Sequence, residues 1–247
     1  MKMLIKALTA LATAAVLPGQ AAPARTPMDL HTAAGANNAA RVAALVNEGV
    51  PVDAAVNNGV TPLMTAANNN AAASAQKLVE LKADVNRKTA AGWTALLYAA
   101  DSGSVQALDV LLKAKADVNA VLAGGENALV QACFSKQAAA ALRLIDAGAD
   151  VNRPSAIGLT PLLVCADAGL DDVVRRLVEK KANPDAANKY GETALIRAAM
   201  RGHLGVVKQL LAAGASTEAR DRQGRNAAEW AQANGHAEVG RVLSGGS

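Results

Sequence analysis

Gly59-Val60-Thr61-Pro62-Leu63-Met64-Thr65-Ala66-Ala67 returns three periods later as Gly158-Leu159-Thr160-Pro161-Leu162-Leu163-Val164-Cys165-Ala166. Both phrases hold a turn glycine, a Thr-Pro step and a run of apolar and small residues. Thr at such a step accepts from the orphan N–H groups of a helix start, and Pro suits the first helical position. Working outward, Gly59, Gly92, Gly125, Gly158, Gly191 and Gly224 keep a constant interval of 33 residues. Two residues on stand Thr61, Thr94, Asn127, Thr160, Thr193 and Asn226; four on stand Leu63, Leu96, Leu129, Leu162 and Leu195. Small pairs follow (Ala66-Ala67, Ala99-Ala100, Ala132-Cys133, Cys165-Ala166, Ala198-Ala199), then aliphatic pairs (Leu78-Val79, Leu111-Leu112, Leu144-Ile145, Leu177-Val178, Leu210-Leu211). The units close on Asp84-Val85-Asn86, Asp117-Val118-Asn119, Asp150-Val151-Asn152 and the variant Asn183-Pro184-Asp185. A fixed period of this length marks a repeat architecture. Each unit predicts one helix of roughly eight residues and another of about ten, both too short to hold alone in water. Stacking must supply the stability: the Ala pairs let first helices approach, and the Leu pairs fill the space between layers.

Composition agrees. The chain has 247 residues, 51% hydrophobic, 19% charged and 2% aromatic, with a formal net charge of +4. That is too apolar and too weakly charged for disorder throughout. Ala supplies about a quarter of the residues, well above average usage, and favours thin helices in close stacks. Nucleic-acid modules need exposed rings or dense Arg and Lys, which this chain lacks. Three His and two Cys cannot furnish an extensive metal or disulfide framework.

Residues 1–24 read as an address. Lys2 and Lys6 open it, Ala7 to Leu17 form an apolar run, and Ala22-Pro23-Ala24 offers small residues at a cleavage site after Ala24, with Ala21 as the second choice. The run is shorter than the roughly 20 residues of a membrane span. Export to the periplasm is expected, with secretion as second choice, and no membrane span after cleavage.

These phrases resemble the ankyrin repeat, whose G-x-T-P-L-H-x-A-A and G-A-D-V-N signatures are matched by the two quoted stretches and by Gly148-Ala149-Asp150-Val151-Asn152. A degenerate first unit contains Leu30-His31-Thr32-Ala33-Ala34. The resemblance implies an all-α solenoid of about seven helix-turn-helix units with β-turn tips. Their approximate bounds are 25–53, 54–86, 87–119, 120–152, 153–185, 186–218 and 219–243, before a flexible tail over 244–247. Glu229, Gln232 and Asn234 give the last unit the polar character of a cap. The chain resembles small exported, periplasmic bacterial ankyrin-repeat proteins.

Little here points to catalysis, a metal or a cofactor. His31 occupies the repeat's L-H slot, and His203 and His236 follow glycines, all three at positions that in ankyrin repeats serve structural hydrogen bonds. They lie in different units without ligand spacing. Cys133 and Cys165 occupy small-residue positions of adjacent first helices. An oxidising compartment would permit a bond. Neighbouring helix axes, however, usually stand about 8–10 Å apart, whereas bonded Cα atoms need roughly 4.4–6.8 Å. Two buried free thiols in place of Ala are therefore expected. Asp171-Asp172 and Lys180-Lys181 suit the two ends of a second helix. No nucleophile motif or phosphate loop appears, and Gly124-Gly125 reads as a turn.

In ankyrin stacks the tips and the exposed side of the first helices form one concave binding surface. The corresponding residues are Asn57, Asn58, Val60, Trp93, Tyr98, Asp101, Glu126, Phe134, Ile157, Leu159 and Asp167, continuing as Lys189, Tyr190, Glu192, Arg197, Met200, Arg201, Arg222 and Arg225. Four of the five aromatic residues fall there, and rings with Arg dominate interface energetics. Tyr98 could pack in part against its neighbour; Trp230 reads as packing in the last unit. The resemblance implies a non-enzymatic protein–protein interaction module or scaffold in the bacterial envelope, working without cofactor as a monomer and serving a periplasmic enzyme. The alternative is a secreted effector or immunity-type protein that inhibits a target enzyme.

Overall fold

The computed structural model describes residues 25–245, and within them the period becomes seven pairs of helices. These are α1 (Pro27–Gly35) with α2 (Ala39–Asn47), α3 (Pro62–Asn68) with α4 (Ala72–Glu80), α5 (Ala95–Ser102) with α6 (Val105–Lys113), and α7 (Ala128–Phe134) with α8 (Ala138–Asp146). They continue as α9 (Pro161–Ala168) with α10 (Asp171–Glu179), α11 (Ala194–Arg201) with α12 (Leu204–Ala212), and α13 (Ala227–Ala233) with α14 (Ala237–Leu243). Odd-numbered helices stack on one another in chain order as one layer, and even-numbered helices as a second. No strand forms among the described residues; isolated bridges join Val56 to Val60 and Val121 to Asn127. The export segment expected over residues 1–24 lies outside the described residues.

The Thr and Asn positions start the first helices as the sequence suggested. Thr94 Oγ1 accepts from Leu97 N at 3.3 Å, Asn127 Oδ1 from Val130 N at 3.0 Å, and Thr160 Oγ1 from Leu163 N at 3.3 Å. Each satisfies an orphan donor, worth about 1 kcal/mol. Gly158, at φ +79°, sits where an added Cβ would lie 2.8 Å from Asn188 Cα in the next tip, so conformation and clearance both demand the periodic glycine. The second helices are slightly shorter than expected, at nine residues except for the seven of α14. After the capping residue the chain turns through a left-handed position, such as Lys115 or Lys181, which ends the helix.

The closing Asn and Asp residues have a job that composition did not reveal. Asn86 Oδ1 accepts from Asp117 N at 2.8 Å, Asn119 from Asp150 N at 2.9 Å, Asn152 from Asn183 N at 2.8 Å and Asp185 from Ser216 N at 2.8 Å. Each unit thus caps a backbone amide of the next. The first member of each aliphatic pair (Leu78, Leu111, Leu144, Leu177, Leu210) is fully buried, while Val79, Leu112, Val178 and Leu211 are half-buried. Consecutive residues on a helix point about 100° apart, so the second member turns partly outward in four of the five pairs, and only Ile145 is buried beside its partner. The last unit ends in a groove of about 520 Å³ lined by residues including Ala228, Gln232, Ala237 and Arg241, on helices α13 and α14.

One expectation fails. Cys133 and Cys165 are joined as a disulfide, with Cα atoms 5.0 Å apart. The free-thiol reading assumed a typical interhelical distance. Between α7 and α9, however, the contact carries Ala132, Cys133, Cys165 and Ala166, all at 0% exposure. Side chains this small let the backbones approach well inside the usual separation, and the bond becomes geometrically accessible.

Candidate protein-binding face

The residues expected to bind a partner lie on the tips and on the helices of the first layer, and they divide by what already engages them. Asn57 and Asn58 are exposed in a short 3-10 turn, both with positive φ. Val60 is half-buried and paired with Val56. The Trp93 and Tyr98 rings stand 5.0 Å apart at 36° and rest partly on the core. Burial pushes the Tyr98 hydroxyl above its ordinary pKa. Phe134 and Tyr190 are each 49% exposed, and Lys189 Nζ sits 5.0 Å above the Tyr190 ring. Ile157 and Leu159 are half-buried between these rings in sequence order.

Several of the charged candidates are spent within the molecule. Asp101 accepts from Gln131 Nε2 at 2.9 Å and from Ser135 Oγ, which ties α5 to α7. The Glu126 carboxylate folds back over Gly124. Asp167 receives Arg197 and Arg201, each at 2.9 Å, and Arg197 also reaches Glu192 at 3.2 Å. Burial disfavours the Asp167 charge, but the two guanidinium groups outweigh it and hold the carboxyl below the usual carboxylate range. Burial likewise opposes the Arg197 charge, and Asp167 with Glu192 overcomes it, raising the pKa of the guanidinium. This cluster is a strut between α9 and α11 as much as a surface. Met200 offers its backbone oxygen to Asn234 at 2.8 Å and to His236 at 3.1 Å. Arg222 is exposed, and the Arg225 guanidinium lies 4.5 Å above the Trp230 ring. Trp230 is half-buried and donates to Asp221 Oδ2 at 2.7 Å.

A second feature of this face was not anticipated from the sequence. Adjacent tips are joined by backbone hydrogen bonds at one repeating position: Ala90 N to Asn58 O, Ala156 N to Gly124 O, Lys189 N to Ile157 O and Arg222 N to Tyr190 O, at 2.7–3.1 Å. Between the third and fourth tips the equivalent bond, Ala123 N to Ala91 O, is absent. A Cβ added at Gly92 would lie 3.7 Å from the nearest atom of the next tip, against 2.8–3.4 Å at its counterparts Gly59, Gly125, Gly158 and Gly191. A polar residue three positions before the turn glycine braces most tips internally. Thr89 accepts from Trp93 N, Ser155 from Leu159 N, Asn188 from Glu192 N and Asp221 from Arg225 N. The second and fourth tips have Val56 and Leu122 in that slot. The polar slot recurs with the period, so its interruption at Leu122, next to Gly124-Gly125, was readable in the sequence.

The histidines are structural. His31 Nε2 donates to Ala54 O at 2.9 Å and Nδ1 lies 2.7 Å from Thr65 Oγ1; His203 donates to Asp167 O at 3.0 Å. Among the described residues no group of three or more His, Cys, Asp and Glu is placed to hold a metal ion, and no helix is long and apolar enough to cross a membrane.

Comparison with known proteins accords with this geometry. A family model described as "Ankyrin repeats (3 copies)" matches residues 75–155, 129–221 and 162–246, and one described as "Ankyrin repeats (many copies)" matches 45–99. The crystal structure of the human ASB11 ankyrin repeat domain is similar at a TM-score of 0.78 and 27% identity, over 90% of this chain and 98% of that one. A search of the curated proteins finds no match. With seven stacked helix pairs, capped tips and family matches across most of its length, the chain belongs to the ankyrin-repeat family and is built as a protein–protein interaction module.

Proposed function

We propose that this protein is a non-enzymatic binding module of the bacterial envelope, exported by residues 1–24, that holds one folded partner protein against its concave face of tips and first helices and serves a periplasmic enzyme as an accessory. The observation that carries this reading is the exposure of large apolar side chains. Among the described residues three are well exposed, and two of them, Phe134 and Tyr190, lie on that face, which also carries the Trp93–Tyr98 pair. In a chain with so few rings, exposing them is costly unless a partner covers them. The Cys133–Cys165 disulfide supports export, because such bonds persist in oxidising compartments. The paired lysines at the start of the chain and the apolar run after them support the same destination.

The test is cross-linking of the mature protein in periplasmic extract, comparing wild type with Phe134→Glu/Tyr190→Glu and with Lys113→Glu on a second-layer helix. The face variant is expected to lose its partner by about tenfold, the cost of one interface anchor or more, while the control retains it. Equal capture by all three proteins would refute the reading.

A further inference from the structure

The charges left over on this face are all of one sign at one end. From the end of the fifth unit onward, Asp167 and Glu192 are taken by Arg197 and Arg201. Asp221 is buried under Trp230, and Glu229 is held by Arg220. Lys189, Arg222 and Arg225 are exposed on the tips and make no ion pair among the described residues. Three units earlier the character is apolar. There the Trp93–Tyr98 pair and half-buried Leu122 flank the one interruption in the ladder of tip hydrogen bonds, with Ala91 O and Ala123 N unpaired within the protein. Neither group has a backbone partner there, so a side chain seated against the ring pair breaks no existing bond between the tips.

We propose, on the footing of the concave-face reading above, that the partner meets this face with an acidic segment that carries an apolar side chain at one end. The apolar side chain seats over the third and fourth tips, against Trp93 and Tyr98. The carboxylates lie over Lys189, Arg222 and Arg225. Arg pairs with carboxylates through two parallel hydrogen bonds, which fixes orientation as well as sign. Stacked helices are about 8–10 Å apart, so three units span roughly 24–30 Å. An extended chain covers that in about eight or nine residues, which sets the spacing between the apolar anchor and the acidic patch. The central tips carry Glu126 and the first helix beneath them Asp101, so the reversed orientation would place carboxylate against carboxylate. The arrangement therefore gives the segment a direction.

The experiment is a selection on residues 25–247, disulfide intact, with a displayed library of random peptides of about 16 residues, twice the required span. Wild type is expected to enrich peptides with an aromatic or branched aliphatic residue and, about eight residues away, a run of Asp and Glu. Lys189→Gln/Arg222→Gln/Arg225→Gln should bind the selected peptide at least about tenfold more weakly and lose most of its salt dependence. Trp93→Phe, which keeps an aromatic ring, should retain binding, and Trp93→Ala should weaken it about tenfold. Circular dichroism and melting of each variant separate loss of binding from loss of fold. Enriched peptides that are neutral or basic, yet compete at Phe134 and Tyr190, would overturn the acidic-segment proposal and leave the concave-face reading standing. Absence of enrichment, or binding indifferent to all these variants, would sink both.

Discussion

His31 shows how one side chain can join two units and carry a pH signature. It is buried, with one ring nitrogen on Ala54 O and the other on Thr65 Oγ1 of the next unit. Burial depresses its pKa below the ordinary 6.5, against the opposing pull of the Ala54 carbonyl. The unfolded chain therefore binds a proton more readily than the folded one. The contribution of His31 to stability is complete above about pH 6.5 and declines as the pH falls from there towards the folded-state value. An NMR titration should place its apparent pKa below 6.5, and the urea midpoint should drop between pH 7.5 and 5.5 by less in His31→Gln than in wild type. A titration at or above 6.5 would contradict this. The sequence placed His31 in a structural slot; that its partners are Ala54 and Thr65 emerged only from the stacking. The cysteines make the complementary point. Their types and spacing were visible, but whether they bond depends on a backbone separation of 5.0 Å that the neighbouring alanines set.

At the scale of the element, the helices were the most legible part of this protein. Every cap from Thr61 to Asn226 is where the Thr and Asn period put it, since capping is a local interaction between residues three apart. The tips were less legible because their bonds run between units. The fourth tip, with Leu122 where Ser155, Asn188 and Asp221 brace the three that follow and with no bond from Ala123 N to the third, should be less protected than those three. Hydrogen exchange at the Ala123 and Glu126 amides is expected to be at least about fivefold faster than at Ala156 and Leu159, matching about 1 kcal/mol for a missing hydrogen bond. Leu122→Asn supplies the acceptor that Asn188 provides two units later, and should slow exchange at Glu126. Protection at Ala123 equal to that at Ala90, Ala156 and Lys189 would show that the interruption has no consequence. Of the candidate face, the aromatic positions were read correctly as lying on tips and first helices, but Asp101, Asp167 and Arg197 turned out to be braces between neighbouring helices. Their side chains reach residues about one period away, and a linear reading does not register that distance.

For the molecule as a whole, the consequence of this construction is that each unit covers its neighbour and little else. Stability is then close to a sum of nearest-neighbour terms. The seventh unit closes the stack by burying Ala227, Ala231 and Val239 against α11 and α12 while turning Glu229 and Gln232 outward. Deleting residues 219–247 uncovers the apolar faces of α11 and α12. The truncated chain is expected to aggregate, or to sediment as a larger species, with a lower melting temperature than the parent. A truncated chain that sediments and melts like the parent would show that the sixth unit can end the solenoid itself. The sequence by itself determined the repeat, its length, its helix starts and the division of residues between core and surface, because these follow from local propensity and from a period that leaves no other register. Tertiary structure alone decided the disulfide, the internal braces, the broken tip ladder and the one-sided charge left on the face. Each of those depends on how closely two units approach and on which charges find partners across that approach.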